Sequence, residues 1–275
     1  MKVITLSREI GSYGDEIASV VARRLNYHLV DQNEIHQRAQ ECDKEYKDAC
    51  SAFDLEEPKG FFQRFFFDKP SYASLFESLN YELAAGGNVV IVGRGSEVVL
   101  GEMEGVLSVD VVAPLAVKIK RVMEWQNWPQ DEADTFVRHH EKLRNSMIES
   151  IFRVDLDNRY LYDLTINTAK MTVEEAVEIV VAAAKNAKPV ADEAQWVEKL
   201  NGMALAKRLE SAIRKTLPEG PLGGIEVKSC GPGIVSLEGL LTERAIKEKA
   251  EKLATGFEGV KEVRNNLRYL ENLTP

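Results

Sequence analysis

An α/β unit built on a parallel sheet, followed by a smaller α+β unit, is the fold this sequence predicts, and three features predict it. The chain opens with an apolar strand, a glycine-bearing turn and a helix in immediate succession. Short apolar strands then recur, and helical patterns follow them, the order that builds parallel sheets. After Ala187 the composition turns polar, a proline interrupts the pattern, and the order becomes helix, hairpin, helix, strand. The expected boundaries are 1–187 for the first unit and 194–275 for the second.

The opening element is Val3-Ile-Thr-Leu-Ser-Arg-Glu-Ile-Gly-Ser-Tyr-Gly-Asp-Glu-Ile-Ala18. A buried-type strand from Val3 to Leu6 enters a turn with Gly11 and Gly14. The helix that follows has Ile17, Val20, Val21 and Leu25 on one face. This is the layout of a phosphate-binding loop. Laid on the pattern G-x-x-x-x-G-K-[ST], however, Arg8 and Tyr13 stand for the two glycines, Gly14 for the lysine and Asp15 for the hydroxyl residue. The amides and dipole of a helix N-terminus attract an anion whatever the side chains are. Missing are the ammonium that spans the β- and γ-phosphates and the hydroxyl that holds magnesium. Arg8 is placed to supply charge from the strand end, and Asp15 either ligates a metal or repels the phosphates. The alternative is an ordinary strand, turn and helix.

The second apolar strand, Asn88-Val-Val-Ile-Val-Gly-Arg-Gly95, ends in an arginine between glycines. That puts a guanidinium at the carboxyl end of a strand, where ligands collect in α/β folds. A third strand, Leu107 to Val112, ends in Ala113-Pro114 and feeds the helix containing Lys118-Ile-Lys-Arg-Val-Met123. A helical stretch with Arg138, Arg144 and Arg153 follows. Tyr162-Asp-Leu-Thr-Ile-Asn-Thr168 opens the last strand, and a helix runs from about Val173 to Lys185. Between Asp31 and the second strand lies a polar and aromatic region with Phe61-Phe-Gln-Arg-Phe-Phe-Phe67. These rings suit burial or a dimer contact, with base stacking as the other reading. Leu75, Leu79 and Leu83 mark a core helix from Ser74 to Ala85.

Taken in order, Ser7-Arg-Glu-Ile-Gly-Ser-Tyr-Gly14, Val30-Asp31, Val92-Gly-Arg-Gly95, Ala113-Pro114, Glu141-Lys-Leu-Arg144 and Tyr162-Asp-Leu-Thr-Ile-Asn-Thr168 resemble the cytidylate kinase-like branch of the nucleoside monophosphate kinases. The resemblance covers roughly residues 1–185. In that branch the loop reads Ser-Arg-Glu-x-Gly-Ser-Gly-Gly-Arg-Glu, so the absent lysine is normal there. Tyr13 and Asp15 depart from it. The resemblance implies a P-loop, five-stranded parallel sheet with flanking helices. It also implies ATP with Mg2+ as cofactors and phosphoryl transfer to a nucleoside monophosphate, a pyrimidine such as CMP. Arg8, Gly11, Ser12, Tyr13, Gly14, Asp15 and Glu16 would hold the donor. Arg94 would grip the acceptor phosphate, and Asp31 would edge the acceptor pocket. Arg144, with Arg138 and Arg153, would close on the moving phosphoryl group from a mobile lid. Each role has a plainer rival. Arginines on an acidic-basic helix commonly pair with a neighbouring Glu, and Asp31 suits a helix cap.

The tail reads as an amphipathic helix from Trp196 to Thr216, a hairpin from Gly224 to Leu241 turning at Gly231-Pro-Gly233, a helix from Glu243 to Thr255 and a strand from Lys261 to Leu270. Gly233-Ile-Val-Ser-Leu-Glu-Gly239 and Phe257-Glu-Gly-Val-Lys-Glu-Val-Arg-Asn-Asn-Leu267 resemble a BON domain, an αββαβ unit. That resemblance implies a module for binding membranes or proteins, with no catalytic residues. The alternative function for the whole chain follows from it: a catalytically impaired nucleotide-binding regulator whose tail contacts a protein or membrane partner.

Composition sets limits. A chain of 275 residues with 44% apolar content holds two domains with real cores. A net charge of −9 disfavours nucleic acid as a partner but suits nucleotides held in a local arginine pocket. Cys42, Cys50 and Cys230 lack the paired spacing of a zinc site, and the adjacent His139 and His140 face different sides of a helix, so no resident metal is expected. No charged and apolar leader precedes the first strand, and no run approaches the ~20 apolar residues that span a bilayer. A cytoplasmic chain is therefore expected, with self-association left open.

Overall fold

The computed structural model describes residues 2–31, 34, 69–217, 224–241 and 243–269. The Phe61 to Phe67 run, Cys42 and Cys50 lie outside the described residues. The chain forms two compact units. The described residues before position 62 join Gly86–Ala191 in one, and the helix Lys69–Ala85 joins the residues from Asp192 onward in the other.

The first unit carries a five-stranded sheet of β1 (Val3–Arg8), β2 (His28–Val30), β3 (Val89–Val92), β4 (Val106–Val112) and β5 (Leu164–Asn167). Their order is β2-β3-β1-β4-β5, and every neighbouring pair is parallel. β3 is a continuous apolar run, as a strand covered on both faces is. On one face α1 (Gly14–Leu25) and α6 (Val173–Asn186) pack Ile17, Val21, Val177 and Val180 against Ile4, Leu6, Val109 and Val111. Thr172 starts α6 with a capping box, its hydroxyl accepting from Glu175 N at 3.2 Å while Glu175 Oε2 accepts from Thr172 N at 2.8 Å.

The alternate residues of β1 and β4 are polar and face the other way. Thr5 Oγ1 donates to Ser108 Oγ at 3.0 Å, and Ser7 is aligned with Asp110 in the strand register. The remaining helices of this unit are α3 (Ser96–Leu100), α4 (Leu115–Gln126) and α5 (Gln130–Phe152). Val122, Ala133 and Val137 form the seam between α4 and α5.

The second unit holds α2 (Lys69–Ala85), α7 (Glu193–Thr216), β6 (Glu226–Gly231), β7 (Ile234–Glu238), β8 (Leu240–Leu241), α8 (Arg244–Thr255), β9 (Glu262–Asn265) and β10 (Arg268–Tyr269). Strands β6 and β7 are an antiparallel hairpin joined through Pro232-Gly233, and β9 adds to β7 in parallel. Leu209, Ile213, Val227, Leu237, Leu241 and Ala250 make the core.

Helix α2 departs from the expected 1–187 boundary. It is a core helix, as its leucine spacing predicts, but it packs along α7. Small polar residues let the two helices approach: Ser78 Oγ donates to Ala204 O at 3.0 Å and Ser74 Oγ to Glu210 Oε1 at 2.7 Å. Glu210 is 1% exposed. It also receives Val227 N at 2.8 Å and pairs with Arg214 at 2.8 Å and Lys207 at 3.3 Å, while Lys207 reaches Glu77 on α2 at 2.6 Å. Beside this cluster, burial pushes the Tyr81 phenol up to about 12, with Glu77 and Glu210 adding to the shift. No helix among the described residues is long and apolar enough to cross a membrane.

Candidate active site

The loop between β1 and α1 is braced from several sides. Ser12, fully buried, donates through Oγ to Glu9 O at 2.7 Å. Glu9 Oε2 accepts from Ala113 N at 3.0 Å and from Lys118 Nζ at 2.9 Å, and Lys118, 4% exposed, also pairs with Glu141. One turn along α4, Arg121 donates to Gly11 O at 3.0 Å and to Thr168 O at 2.7 Å, with its guanidinium 4.0 Å from the centre of the Tyr13 ring. Thr168 Oγ1 closes the ring of contacts on Ser12 O at 2.9 Å. Lys118 and Arg121 thus clamp the loop from α4. Their i, i+3 spacing on one helix face is the signal that could have singled them out.

Tyr13 precedes α1 at φ 65°, a left-handed conformation uncommon for a bulky residue. The loop therefore bends at Tyr13 where the family pattern has glycine. Gly14 starts the helix tight against Arg8, and a Cβ there would lie 2.2 Å from Arg8 Cβ. A lysine at 14, as in the general pattern, cannot be accommodated without moving β1 or the helix. Gly14→Ala is expected to destabilise the fold by about 1–3 kcal/mol, the cost of overpacking. Urea unfolding checks this, and a variant as stable as the parent would mean that the loop relaxes freely. Arg8 Nε pairs with Asp15 Oδ1 at 3.0 Å, and the guanidinium reaches across to Gly93, where a Cβ would come within 2.7 Å of it. Glu16 is exposed in the same first turn.

Gly93, Arg94 and Gly95 run in succession at φ 69°, 64° and 68°, so the chain turns sharply off the end of β3 with the arginine at its centre. Arg94 is 9% exposed and lines a cavity of about 320 Å³ together with Arg8, Asp15, Glu97 and Arg144. Ile10, Trp125, Phe136, His140, Met147 and Ile148 are among the other residues of its wall. His140 lies against Phe136, its ring tilted by 46° with ring centres 4.1 Å apart, and lines this cleft.

Arg144 lies on α5 and reaches the sheet. It donates to Ser7 Oγ at the end of β1, and it lines both this cleft and a neighbouring cavity of about 210 Å³ with Glu9, Asp110, Arg159 and Tyr162. Burial, opposed by Arg144, pushes the Asp110 carboxyl up to about 6, and burial likewise raises the Tyr162 phenol. An acid with a raised folded pKa takes up a proton on folding. Its favourable contribution is present at low pH and lost as pH rises from the ordinary 3.8 to about 6. Asp110→Asn is expected to flatten that part of the stability curve and to leave the variant more stable than the parent above it. Urea unfolding from about pH 4 to about pH 7 checks this, and an unchanged slope would contradict it. A charged residue inside the apolar strand Val106–Val112 was the sequence's sign of this cluster.

Three expected site residues stand elsewhere. Arg138 is exposed, pairs with Asp134 one helical turn away at 2.9 Å and does not line the cleft. Arg153 is the exposed residue that ends α5 at φ 57°. Asp31 accepts from Glu34 N at 3.0 Å, the contact of a helix cap. Among the described residues no group of three His, Cys, Asp or Glu side chains could hold a metal ion.

A parallel sheet in this strand order, with a glycine-bearing loop between its central strand and the next helix, defines a P-loop kinase fold. The profile of the cytidylate kinase-like family matches residues 3–170, and the chain belongs to that family. A BON domain profile matches residues 205–271. A cytidylate kinase of Staphylothermus marinus is 30% identical over 113 residues, 40% of this chain and 62% of that protein. One of Pyrobaculum neutrophilum is 28% identical over 179 residues, 65% of this chain and 90% of that protein. This chain thus spans somewhat less than two thirds of the first relative and most of the second. The crystal structure of an uncharacterized protein from Eubacterium ventriosum shares the fold, with a TM-score of 0.51 and 21% identity, covering 67% of this chain and 98% of that one.

Proposed function

We propose that this protein transfers the γ-phosphoryl group of ATP to a nucleoside monophosphate, with CMP as the acceptor to test first. The observation that carries the reading is the 320 Å³ cleft with Arg8, Arg94 and Arg144 set against Trp125, Phe136 and His140. Guanidiniums match phosphate oxygens, and aromatic faces match a base. Phosphoryl transfer asks mainly for positioning and charge neutralisation, which such residues supply.

In this reading Arg94 orients the acceptor phosphate, and Arg144, anchored on Ser7, holds its guanidinium toward the transferred group. Gly11, Ser12 and Tyr13 shape the loop, and the first-turn amides of Gly14, Asp15 and Glu16 meet the donor phosphates. The loop fits that role because α1 begins at Gly14, whose lack of a side chain lets Arg8, the last residue of β1, lie against the first turn of the helix. Asp15 is the carboxylate in the position that holds magnesium in related loops, and it would exchange Arg8 for the ion. When bound, ATP with Mg2+ supplies the phosphoryl group and part of its charge neutralisation. A cytoplasmic site of action goes with this chemistry.

The test is ADP release by the full chain with ATP, Mg2+ and each common nucleoside monophosphate in turn. Acceptor-dependent release, greatest with CMP, is expected. Release that no monophosphate stimulates would overturn the proposal. A second reading has its own observation: with Gly14 in the lysine position and Asp15 bonded to Arg8, the loop suits a nucleotide-binding regulator without turnover, its second unit contacting a protein or membrane partner. Tight nucleotide binding without transfer would select it.

A further inference from the structure

Arg144 lines two cavities, and each holds a buried carboxyl. Glu97, 3% exposed, shares the 320 Å³ cleft with it, and Asp110, 8% exposed, shares the 210 Å³ cavity. Among the described residues Arg144 makes no ion pair: its guanidinium donates to Ser7 Oγ and to Asn145 Oδ1, the latter at 3.4 Å. Neutral groups therefore hold it in place, and its charge acts on both carboxyls at once. In the nucleotide reading of the cleft an incoming phosphate competes for that charge.

Which carboxyl responds follows from what else faces each of them. Glu97 keeps a second guanidinium, Arg8, when Arg144 is engaged. Asp110 has no such reserve. Burial pushes it up to about 6, Arg144 is the cation that opposes this, and Glu9 from the loop after β1 and Glu97 from α3 add to the rise. Lys118 on α4 is occupied with Glu9. The Tyr162 phenol lines the same cavity, and the exposed Asp157, Arg159 and Thr165 form part of its wall, which gives Asp110 a way to exchange a proton with water.

We propose that Asp110 is a positioning residue for Arg144 and takes up a proton when a phosphate in the cleft engages that guanidinium, so that nucleotide binding is proton-linked. With Asp110 charged, Arg144 is drawn toward the second cavity; with Asp110 neutral, the guanidinium is released to the phosphate. The proton passes from solvent to a carboxylate oxygen of Asp110, and no other bond changes. This rests on the nucleotide reading of the cleft and adds to it the means by which its arginine is freed. The sign is fixed by the linkage: a group that gains a proton on binding favours binding at low pH, and that contribution is lost as pH rises.

The experiment is calorimetric titration of the full chain with CMP at about pH 6.5 in buffers of differing ionisation enthalpy, which counts the protons exchanged per nucleotide bound. It is repeated on Asp110→Asn and Glu97→Gln. The phosphate of CMP sheds protons when it binds as a dianion, so the comparison with Asp110→Asn isolates the carboxyl. The parent is expected to take up roughly half a proton more per CMP than Asp110→Asn, the change when a carboxyl titrating at about 6 loses its counter-charge. Glu97→Gln should keep most of the parent's count. Infrared difference spectra of the parent, in which CMP should raise a protonated-carboxyl band, read the same step even if a variant does not fold. Equal counts in parent and Asp110→Asn, a count lost only in Glu97→Gln, or parent spectra without that band would overturn the assignment while leaving the nucleotide cleft intact. No binding of CMP by the parent would overturn the cleft reading and this assignment with it.

Discussion

Arg94→Ala is expected to weaken monophosphate binding by about 1.5–3 kcal/mol, roughly 10- to 150-fold, while leaving ATP affinity within about twofold. Arg94 is 9% exposed at the turn off β3, and a guanidinium in that position forms charge-assisted bonds to an anion with little competition from water. Its backbone lies at φ 64°, and alanine keeps the Cβ that makes this conformation costly, so the substitution removes the guanidinium without relaxing the turn. Arg94→Lys separates charge from geometry. It keeps the charge and the backbone restriction but loses the two-pronged geometry, and should fall between the parent and alanine variants. Calorimetry with CMP reads all three, and unchanged affinity in Arg94→Ala would remove this residue from the acceptor site.

Glu210→Ala is expected to cost the second unit about 3–5 kcal/mol, the range for breaking a buried charged network from one side. The carboxylate receives Ser74 Oγ, Val227 N, Lys207 and Arg214, and its loss leaves the buried Val227 amide without that acceptor. It also removes the group that joins α2 and α7 to β6. The unfolding transition of Trp196, buried in this unit, reports the loss in a background with Trp125 and Trp128 replaced by Phe. Glu210→Gln, which keeps one acceptor, should lose less. A change below about 1 kcal/mol in the alanine variant would mean that the network contributes little.

The fold was largely legible because local signals agreed with one another. The apolar strands, the glycine turn after β1 and the hairpin at Pro232-Gly233 each have a short-range cause, and each occurs where its pattern predicts. The placement of α2 was not legible. Its leucines mark it as buried, but nothing in their spacing says that the partner surface is α7, more than a hundred positions along the chain. That choice is made by Ser74, Ser78 and Glu210, whose complementarity exists only in three dimensions.

The candidate site was legible in outline. Arg8 and Arg94 were conspicuous as charged residues at strand ends, and Arg144 joins them in the cleft. The sequence put Arg138 second to Arg144 on the same helix. Helical rotation separates them, leaving Arg138 beside Asp134 and Arg144 against Ser7. Lys118, Arg121 and Glu97 went unread because their importance lies in what they touch: the loop for the first two, the cleft for the third.

The most direct test of the account is a phosphorus NMR time course of the full chain with ATP, Mg2+ and CMP. The expected result is the paired growth of ADP and CDP resonances at the expense of ATP and CMP. ATP that stays intact, or that yields inorganic phosphate while CMP is unchanged, would contradict the claim that this cleft transfers a phosphoryl group to a nucleotide.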